Sequence, residues 1–158
     1  MTIRHIPSEN QEILGIMTRH WGSTDMALDD RLYDLTSCPC LLCEEAGELM
    51  GFLHYDNRGG DWEILALDCP KPGVGAGSKL IREVAAMARA AGAKRLLVVT
   101  TNDNTRAMRF YQRRGFDLIA VRFGAVTRAR ETIKPEIPLM GDDAIPIRHE
   151  MVFGMELY

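Results

Sequence analysis

CLLCEEAGELMGFLHYDNRGGDWEILALDC, residues 40–69, holds three apolar runs, separated by Ala46-Gly47 and by Asn57-Arg58-Gly59-Gly60. Small and polar separators of this kind reverse an extended chain, so the segment is predicted to be an antiparallel meander. On its N-terminal side, Thr2 to Ile6 reads as a short strand. Ser8 and Gln11 form a capping-box pattern, and Ile13, Ile16 and Met17 recur at helical spacing, predicting a helix to about His20. A second helix is expected from Asp25 to Leu35, with Met26, Leu28, Leu32 and Leu35 as its apolar members.

On the C-terminal side the period changes to that of a helix from about Gly75 to Ala91. Leu80, Val84, Met87, Ala88 and Ala91 form its apolar stripe, and Gly92 supplies the stop. Arg95–Thr101 (RLLVVTT) reads as a strand buried on both faces. Asn104 can cap a further helix that turns Ala107, Met108 and Tyr111 inward and Arg106, Arg109 and Arg113 outward, with Gly115 ending it. Phe116 to Phe123 resumes a strand. A proline- and charge-bearing stretch from Thr127 to Pro146 reads as irregular, and Glu150 to Tyr158 as a last strand. The order describes one α/β domain over residues 1–158, with a mixed sheet and no repeats.

The chain has 158 residues, enough for a single core. Its net charge of −3 excludes a basic field of the kind that gathers a nucleic-acid backbone. No apolar run approaches the roughly 20 residues that span a bilayer. The opening MTIRHIPSENQEIL meets charged residues at once and has no apolar signal core, so the cytoplasm is the expected compartment. Cys38, Cys40 and Cys43 cluster, and Cys69 stands apart. Their spacing lacks a second C-x-x-C knuckle, so they read as buried reduced thiols and no metal is expected.

PGVGAGSKLI, residues 72–81, is the most informative stretch for chemistry. Alternating glycines where a strand hands over to a helix permit unusual dihedrals, and the first helical turn aims free N–H groups at an incoming anion. Such a nest binds phosphates without a cationic side chain. A Walker loop needs Gly-Lys-Ser/Thr, whereas the order here is Gly77-Ser78-Lys79. A dinucleotide fingerprint needs G-x-G-x-x-G, whereas the glycines are Gly73, Gly75 and Gly77. Both fail on spacing, which argues against a nucleotide-hydrolysing protein.

Gly73-Val74-Gly75-Ala76-Gly77-Ser78, following the strand WEILALDC, resembles the Arg/Gln-x-x-Gly-x-Gly/Ala signature of the GNAT superfamily of acyl-CoA-dependent N-acyltransferases. Pro72 stands where that family usually has Arg or Gln; Lys71 or Lys79 would compensate. A second, more specific stretch, Asn104 to Phe116, is similar to the family's N-x-x-A-x-x-F-Y-x-x-x-G-F motif, with Asn104, Ala107, Phe110, Tyr111, Gly115 and Phe116 in register. The two motifs and what lies between them cover Trp62 to about Leu118.

The resemblance implies a GNAT-like fold: a mostly antiparallel sheet of about seven strands, about four helices, and splayed fourth and fifth strands. It implies acetyl-CoA as cosubstrate, its pantetheine arm bonding backbone groups of Leu65 and Leu67. Its pyrophosphate would lie on the amides of Val74, Gly75, Ala76, Gly77 and Ser78 after the turn at Gly73. Asn104 would hold the pantetheine or the phosphate end, and an N–H near Ala66 or Leu67 would stabilise the oxyanion.

Direct transfer needs a neutral amine and a protonated leaving thiol. An amine near pKa ~10 is charged at neutral pH, so a base must take its proton. Glu63, at the start of the fourth strand, is the candidate, directly or through water, with His54 as an alternative. Tyr111 would protonate the departing thiolate, and the resemblance places it against the cofactor. The expected acceptor is a small-molecule amine rather than a protein amine. It would be shaped by the first two helices and the connection from Ala125 to Arg148, an end that would also serve a homodimer contact. A non-catalytic acyl-CoA-binding module is the rival reading.

Overall fold

In the computed structural model, residues 1–7, 11, 12, 15 and 25–158 are described. Nine strands occur among them: β1 Thr2–Ile6, β2 Asp25–Leu28, β3 Arg31–Asp34, β4 Cys40–Glu45, β5 Glu48–Asp56, β6 Trp62–Asp68, β7 Arg95–Thr101, β8 Asp117–Arg122 and β9 Glu150–Glu156. Three α-helices occur among them: α1 Ala76–Ala90, α2 Thr105–Arg113 and α3 Ala125–Thr132. Seven strands form one mixed, mostly antiparallel sheet in the order β1-β4-β5-β6-β7-β9-β8, and β2 pairs only with β3. The chain resolves into two compact units, residues 1–25, 34–96 and 156–158, and residues 26–33 and 97–155.

The first unit is built on the predicted meander. β1 pairs antiparallel with β4, β4 with β5 and β5 with β6. Ala46 and Gly47 turn the first hairpin in left-handed conformations, φ 51° and 77°, the tight reversal that a right-twisted hairpin favours. Leu41, Leu42, Phe52, Leu53 and Ile64 are fully buried. Helix α1 covers one face: Gly51 lies so close to Leu80 that an added Cβ would stand 3.1 Å from its Cδ1. Leu80, Val84 and Ala88 face inward as the stripe predicted, Met87 is half-buried and Ala91 exposed, and Ile81 and Ala85 are buried as well. Gly92 ends the helix at φ 82°. Arg4 of β1 lies between the carboxylates of Glu12 and Glu44, at 2.6 and 2.8 Å.

The second unit holds most of β7, with α2, β8, α3 and β9. Leu96 and Val98 of β7 are buried while Leu97 and Val99 are half-buried, so the run is less enclosed on one face than its composition suggests. β8 and β9 pair antiparallel.

Two expectations need correction here, and a third lies outside the described residues. Asp25 to Leu35 is not a helix but the hairpin β2–β3 running into a short 3-10 turn, Leu35–Ser37. Asp29 and Asp30 take left-handed conformations at φ 51° and 59°, which short Asp side chains tolerate. The buried Glu150 carboxylate accepts the Asp29 N–H, while Arg122 and Arg128 pair with Asp29 and Asp30. Partners this remote in sequence outweigh helical spacing in a short window. Second, the stretch after Phe123 is not wholly irregular, since α3 occupies Ala125–Thr132. Arg148 supplies the carbonyl that accepts the Val126 N–H, and Arg130 donates to the carbonyls of Ile137, Pro138 and Ile147. The predicted helix to His20 falls mostly outside the described residues.

Candidate active site

β6 is the strand that carries the backbone groups expected to hold the pantetheine and the oxyanion. Its pairing with β5 runs Leu53↔Leu67 and His54↔Ala66, then slips to Tyr55↔Ile64 and Asp56↔Glu63. Leu65 is therefore an extra residue opposite the β5 ladder, a bulge in the middle of the predicted pantetheine strand. A bulge removes one residue from regular pairing and bends the strand locally. Leu65 and Ala66 are buried and Leu67 half-buried. No sequence signal marks the bulge, because Ile64-Leu65-Ala66-Leu67 is apolar throughout and either register would bury it.

Register also sorts the side chains. Phe52, His54 and Asp56 alternate onto one face of β5, and the paired Ala66 and Glu63 share that face. Gly51, beside Leu80, belongs to the opposite face, so Glu63 and His54 stand away from α1. Glu63 is half-buried and directly opposite Asp56, whose carboxylate takes an ion pair from Arg58 at 2.9 Å. Trp62 stacks on Tyr55 at 5.4 Å with nearly parallel planes, a packing role. His54 is fully buried, its ring edge-on to Phe52 at 5.7 Å. Neither Nδ1 nor Nε2 has a hydrogen-bond partner among the described residues. Burial pushes its pKa down to about 4, so the ring is neutral at pH 7 and a poor acceptor for an amine proton.

The loop after β6 leads into α1 with Gly73 and Gly75 in left-handed conformations, φ 82° and 87°. A Cβ at Gly73 would meet nothing within 4 Å, so conformation rather than crowding favours glycine there. Gly75 is the N-cap of α1; no side chain caps the helix and its first turn holds no acid. A long helix entered this way presents N–H groups and the positive end of its dipole with no carboxylate of its own to neutralise them. Gly73, Val74 and Gly75 are exposed, Ala76 and Gly77 buried and Ser78 half-buried. Of the two compensating lysines, Lys71 pairs with Glu48 at 2.5 Å on the surface, and Lys79 is half-buried on α1.

In the second unit, Asn104 caps α2, its Oδ1 accepting the Ala107 N–H at 3.0 Å. The carbonyl of its amide is thus committed to the fold, and the side-chain NH2 is what remains for a ligand. Tyr111 is buried among Phe110, Phe116 and Phe153, with ring centroids 5.4, 5.6 and 6.2 Å away. Phe110 is half-buried under Arg114, whose guanidinium lies 3.5 Å from the ring centroid. The buried Asp103 carboxylate accepts from Thr101 and from the Asp142 N–H, fastening the loop that follows α3.

Three of the four cysteines are core residues, and Cys69 is half-buried. Cys38, Cys40 and Cys43 are buried, and burial raises all three thiols, Cys40 to about 12. They are protonated at neutral pH, when thiols are weak nucleophiles and metal ligands. Among the described residues no helix is long and apolar enough to cross a membrane.

The Acetyltransferase (GNAT) family model matches residues 8–116. The chain is 37% identical over 137 residues to the uncharacterised protein YdhI of Bacillus subtilis (strain 168), covering 86% of this chain and 85% of that one. Among solved structures it resembles a GNAT family acetyltransferase from Elizabethkingia anophelis with acetyl-CoA bound, with TM-score 0.77, 21% identity and coverage of 99% and 97% of the two chains. It is also similar to an IAA acetyltransferase from Bacillus cereus, with TM-score 0.75, 20% identity and 99% coverage of each chain. The match extends across well over half of the chain and includes both glycine-rich loop and Asn104–Phe116 motif, and the chain belongs to the GNAT acetyltransferase family.

Proposed function

We infer that the protein transfers an acetyl group from acetyl-CoA to the primary amine of a small molecule, in one step within a ternary complex. The observation that carries this reading is the mouth of α1: two left-handed glycines, no side-chain cap and no acid in the first turn, directly after a bulged strand. A diphosphate is the anion that such a run of main-chain donors fits. That a similar fold holds acetyl-CoA in the Elizabethkingia anophelis protein supports the choice of thioester.

The chemistry assigned to the residues balances without a covalent enzyme intermediate. Glu63, directly or through a water, takes a proton from the ammonium of the acceptor. The neutral amine adds to the thioester carbonyl, and an N–H of Ala66 or Leu67 holds the oxyanion. As the C–S bond breaks, the adduct's nitrogen gives up its second proton to solvent, and Tyr111 gives its phenolic proton to the thiolate and recovers one from solvent. Leu65 and Leu67 bond the pantetheine, Val74 to Ser78 the pyrophosphate, and the Asn104 amide NH2 the pantetheine or the phosphate end. We place this activity in the cytoplasm. A protein amine is the alternative acceptor.

One observation favours the rival reading of a non-catalytic acyl-CoA-binding module: Tyr111 is enclosed by three phenylalanine rings and has a packing role whatever else it does. A thiol-release screen with acetyl-, propionyl- and succinyl-CoA over a panel of amines separates the two. Turnover with at least one amine is expected. Thermal stabilisation by acetyl-CoA with no turnover on small amines or on peptide amines would leave the binding module. No stabilisation by any CoA thioester would remove both.

A further inference from the structure

Thr101-Asn102-Asp103-Asn104 joins β7 to α2. The turn is closed by main-chain bonds from the Asn104 N–H to the Thr101 carbonyl and from the Thr105 N–H to the Asp103 carbonyl, both 3.0 Å. The two side chains just before Asn104 reach to a single remote segment. Oδ1 of Asn102 accepts the N–H groups of Arg148 and His149 at 2.8 and 2.9 Å, which uses both of its lone pairs. Its NH2 donates to the Pro146 carbonyl at 2.9 Å. The Asp103 carboxylate, 6% exposed, accepts the Thr101 hydroxyl on one oxygen and the Asp142 N–H at 3.1 Å on the other. A buried carboxylate is costly to hold, and the chemistry assigned to the residues above does not use this one.

The segment on the far side of these bonds is itself braced. The Gly141 N–H donates to the Ile145 carbonyl at 2.9 Å and the Ile147 N–H to the Leu139 carbonyl at 3.0 Å. Arg130 of α3 donates to the carbonyls of Pro138 and Ile147 at 2.7 and 2.9 Å. The segment lies so close to Asp103 that a Cβ at Gly141 would stand 2.0 Å from its Oδ2. Gly141 has φ −110°, so crowding rather than a left-handed backbone favours glycine there. Because Oδ1 of Asn104 is spent on capping α2, the aim of its NH2 is set by where the turn sits. We propose that Asn102 and Asp103 are positioning residues: by fastening the turn to residues 139–149, they hold the Asn104 NH2 where it meets acetyl-CoA. This inference rests on the reading of Asn104 as a cosubstrate contact. A misplacement of about 1 Å at such a contact is enough to forfeit it.

The test is calorimetric titration of acetyl-CoA into the full chain, with folding of each variant checked by circular dichroism. Asn104→Ser keeps a capping oxygen and loses the NH2; it should raise the acetyl-CoA dissociation constant about tenfold, the worth of one hydrogen bond. Gly141→Ala pushes the segment off Asp103 without altering the turn, and Asp103→Ala cuts the same link from the other side. Each should weaken binding by about the same factor, and Gly141→Ala combined with Asn104→Ser should be no weaker than Asn104→Ser alone, because the loop acts through that one amide. Asp103→Asn, which can turn its oxygen to the Asp142 N–H and its NH2 to the Thr101 hydroxyl, should bind within about twofold of wild type. If Gly141→Ala does not fold, Asp103→Ala takes its place in the double variant. Wild-type affinity in folded Gly141→Ala and Asp103→Ala, beside a weakened Asn104→Ser, would overturn the positioning role alone. So would losses that multiply in the double variant, or an Asp103→Asn protein as weak as Asp103→Ala. Wild-type affinity in Asn104→Ser would instead remove the cosubstrate contact, and this inference with it.

Discussion

Replacing His54 by leucine gives a quantitative test of how dry the space beside β6 is. The imidazole is fully buried, its nitrogens have no partner among the described residues, and burial alone pushes its pKa down to about 4 from the ordinary 6.5. The folded value lies below the unfolded one, so protons favour the unfolded chain. The stability cost is absent above pH 6.5 and grows as pH falls through the window between 6.5 and 4. A difference of about 2.5 pH units corresponds to at most ~3.4 kcal/mol, of which about 2 kcal/mol is lost by pH ~5 and about 3 kcal/mol by pH ~4.

Other groups also change charge as the pH falls, Glu44 among them, its carboxyl lowered by its hydrogen bond to Arg4. The quantity to measure is therefore the difference between two proteins. Urea unfolding of wild type and His54→Leu at pH ~7.5, ~6, ~5 and ~4.5 should show a gap in favour of the variant that widens by about 2 kcal/mol or more down the series. At pH ~7.5 the variant should be at least as stable as the wild type, because an unsatisfied buried polar group costs about 1–3 kcal/mol. Parallel pH profiles would mean that the ring is hydrated or bonded in solution, and the account of this face of β5 would be wrong.

Tyr111→Phe should lower kcat about a hundredfold or more while changing the acetyl-CoA dissociation constant little; equal losses in both would reduce Tyr111 to packing. Glu63→Gln should depress turnover near neutral pH and recover by about tenfold per pH unit as the free amine accumulates; a flat profile would remove the base role. Gly141→Ala would put a Cβ 2.0 Å from Asp103 Oδ2, displacing the loop from β7 and costing about 2–4 kcal/mol in chemical denaturation. Arg122→Met would leave the Glu150 carboxylate buried without its cation, with an expected loss of about 3 kcal/mol and protease sensitivity at the β2–β3 hairpin. Wild-type stability in either of the last two would refute the corresponding anchor.

Much of the fold was legible because it depends on local period and turn chemistry. Ala46-Gly47 is a left-handed turn pair between two apolar runs, and Gly92 follows a regular apolar stripe, so hairpin and helix end declare themselves within a few residues. The glycine-rich loop was equally readable, since left-handed backbone at Gly73 and Gly75 is a requirement that residue type alone meets. The Asn104 cap follows from its position before an apolar stripe.

What residue types by themselves determined, then, are the meander, the amphipathic helices, the glycine-rich mouth of α1 and the family they indicate. Tertiary structure alone decided three other things: that Asp25 to Asp34 is a hairpin held through Glu150 and Arg122, that the β5–β6 ladder slips to leave Leu65 as a bulge, and that His54 is buried without a hydrogen-bond partner among the described residues. The physical reason is range. A turn or a cap is settled by neighbours a few residues away, whereas register, burial and long-range ion pairs depend on groups that only the folded chain brings together.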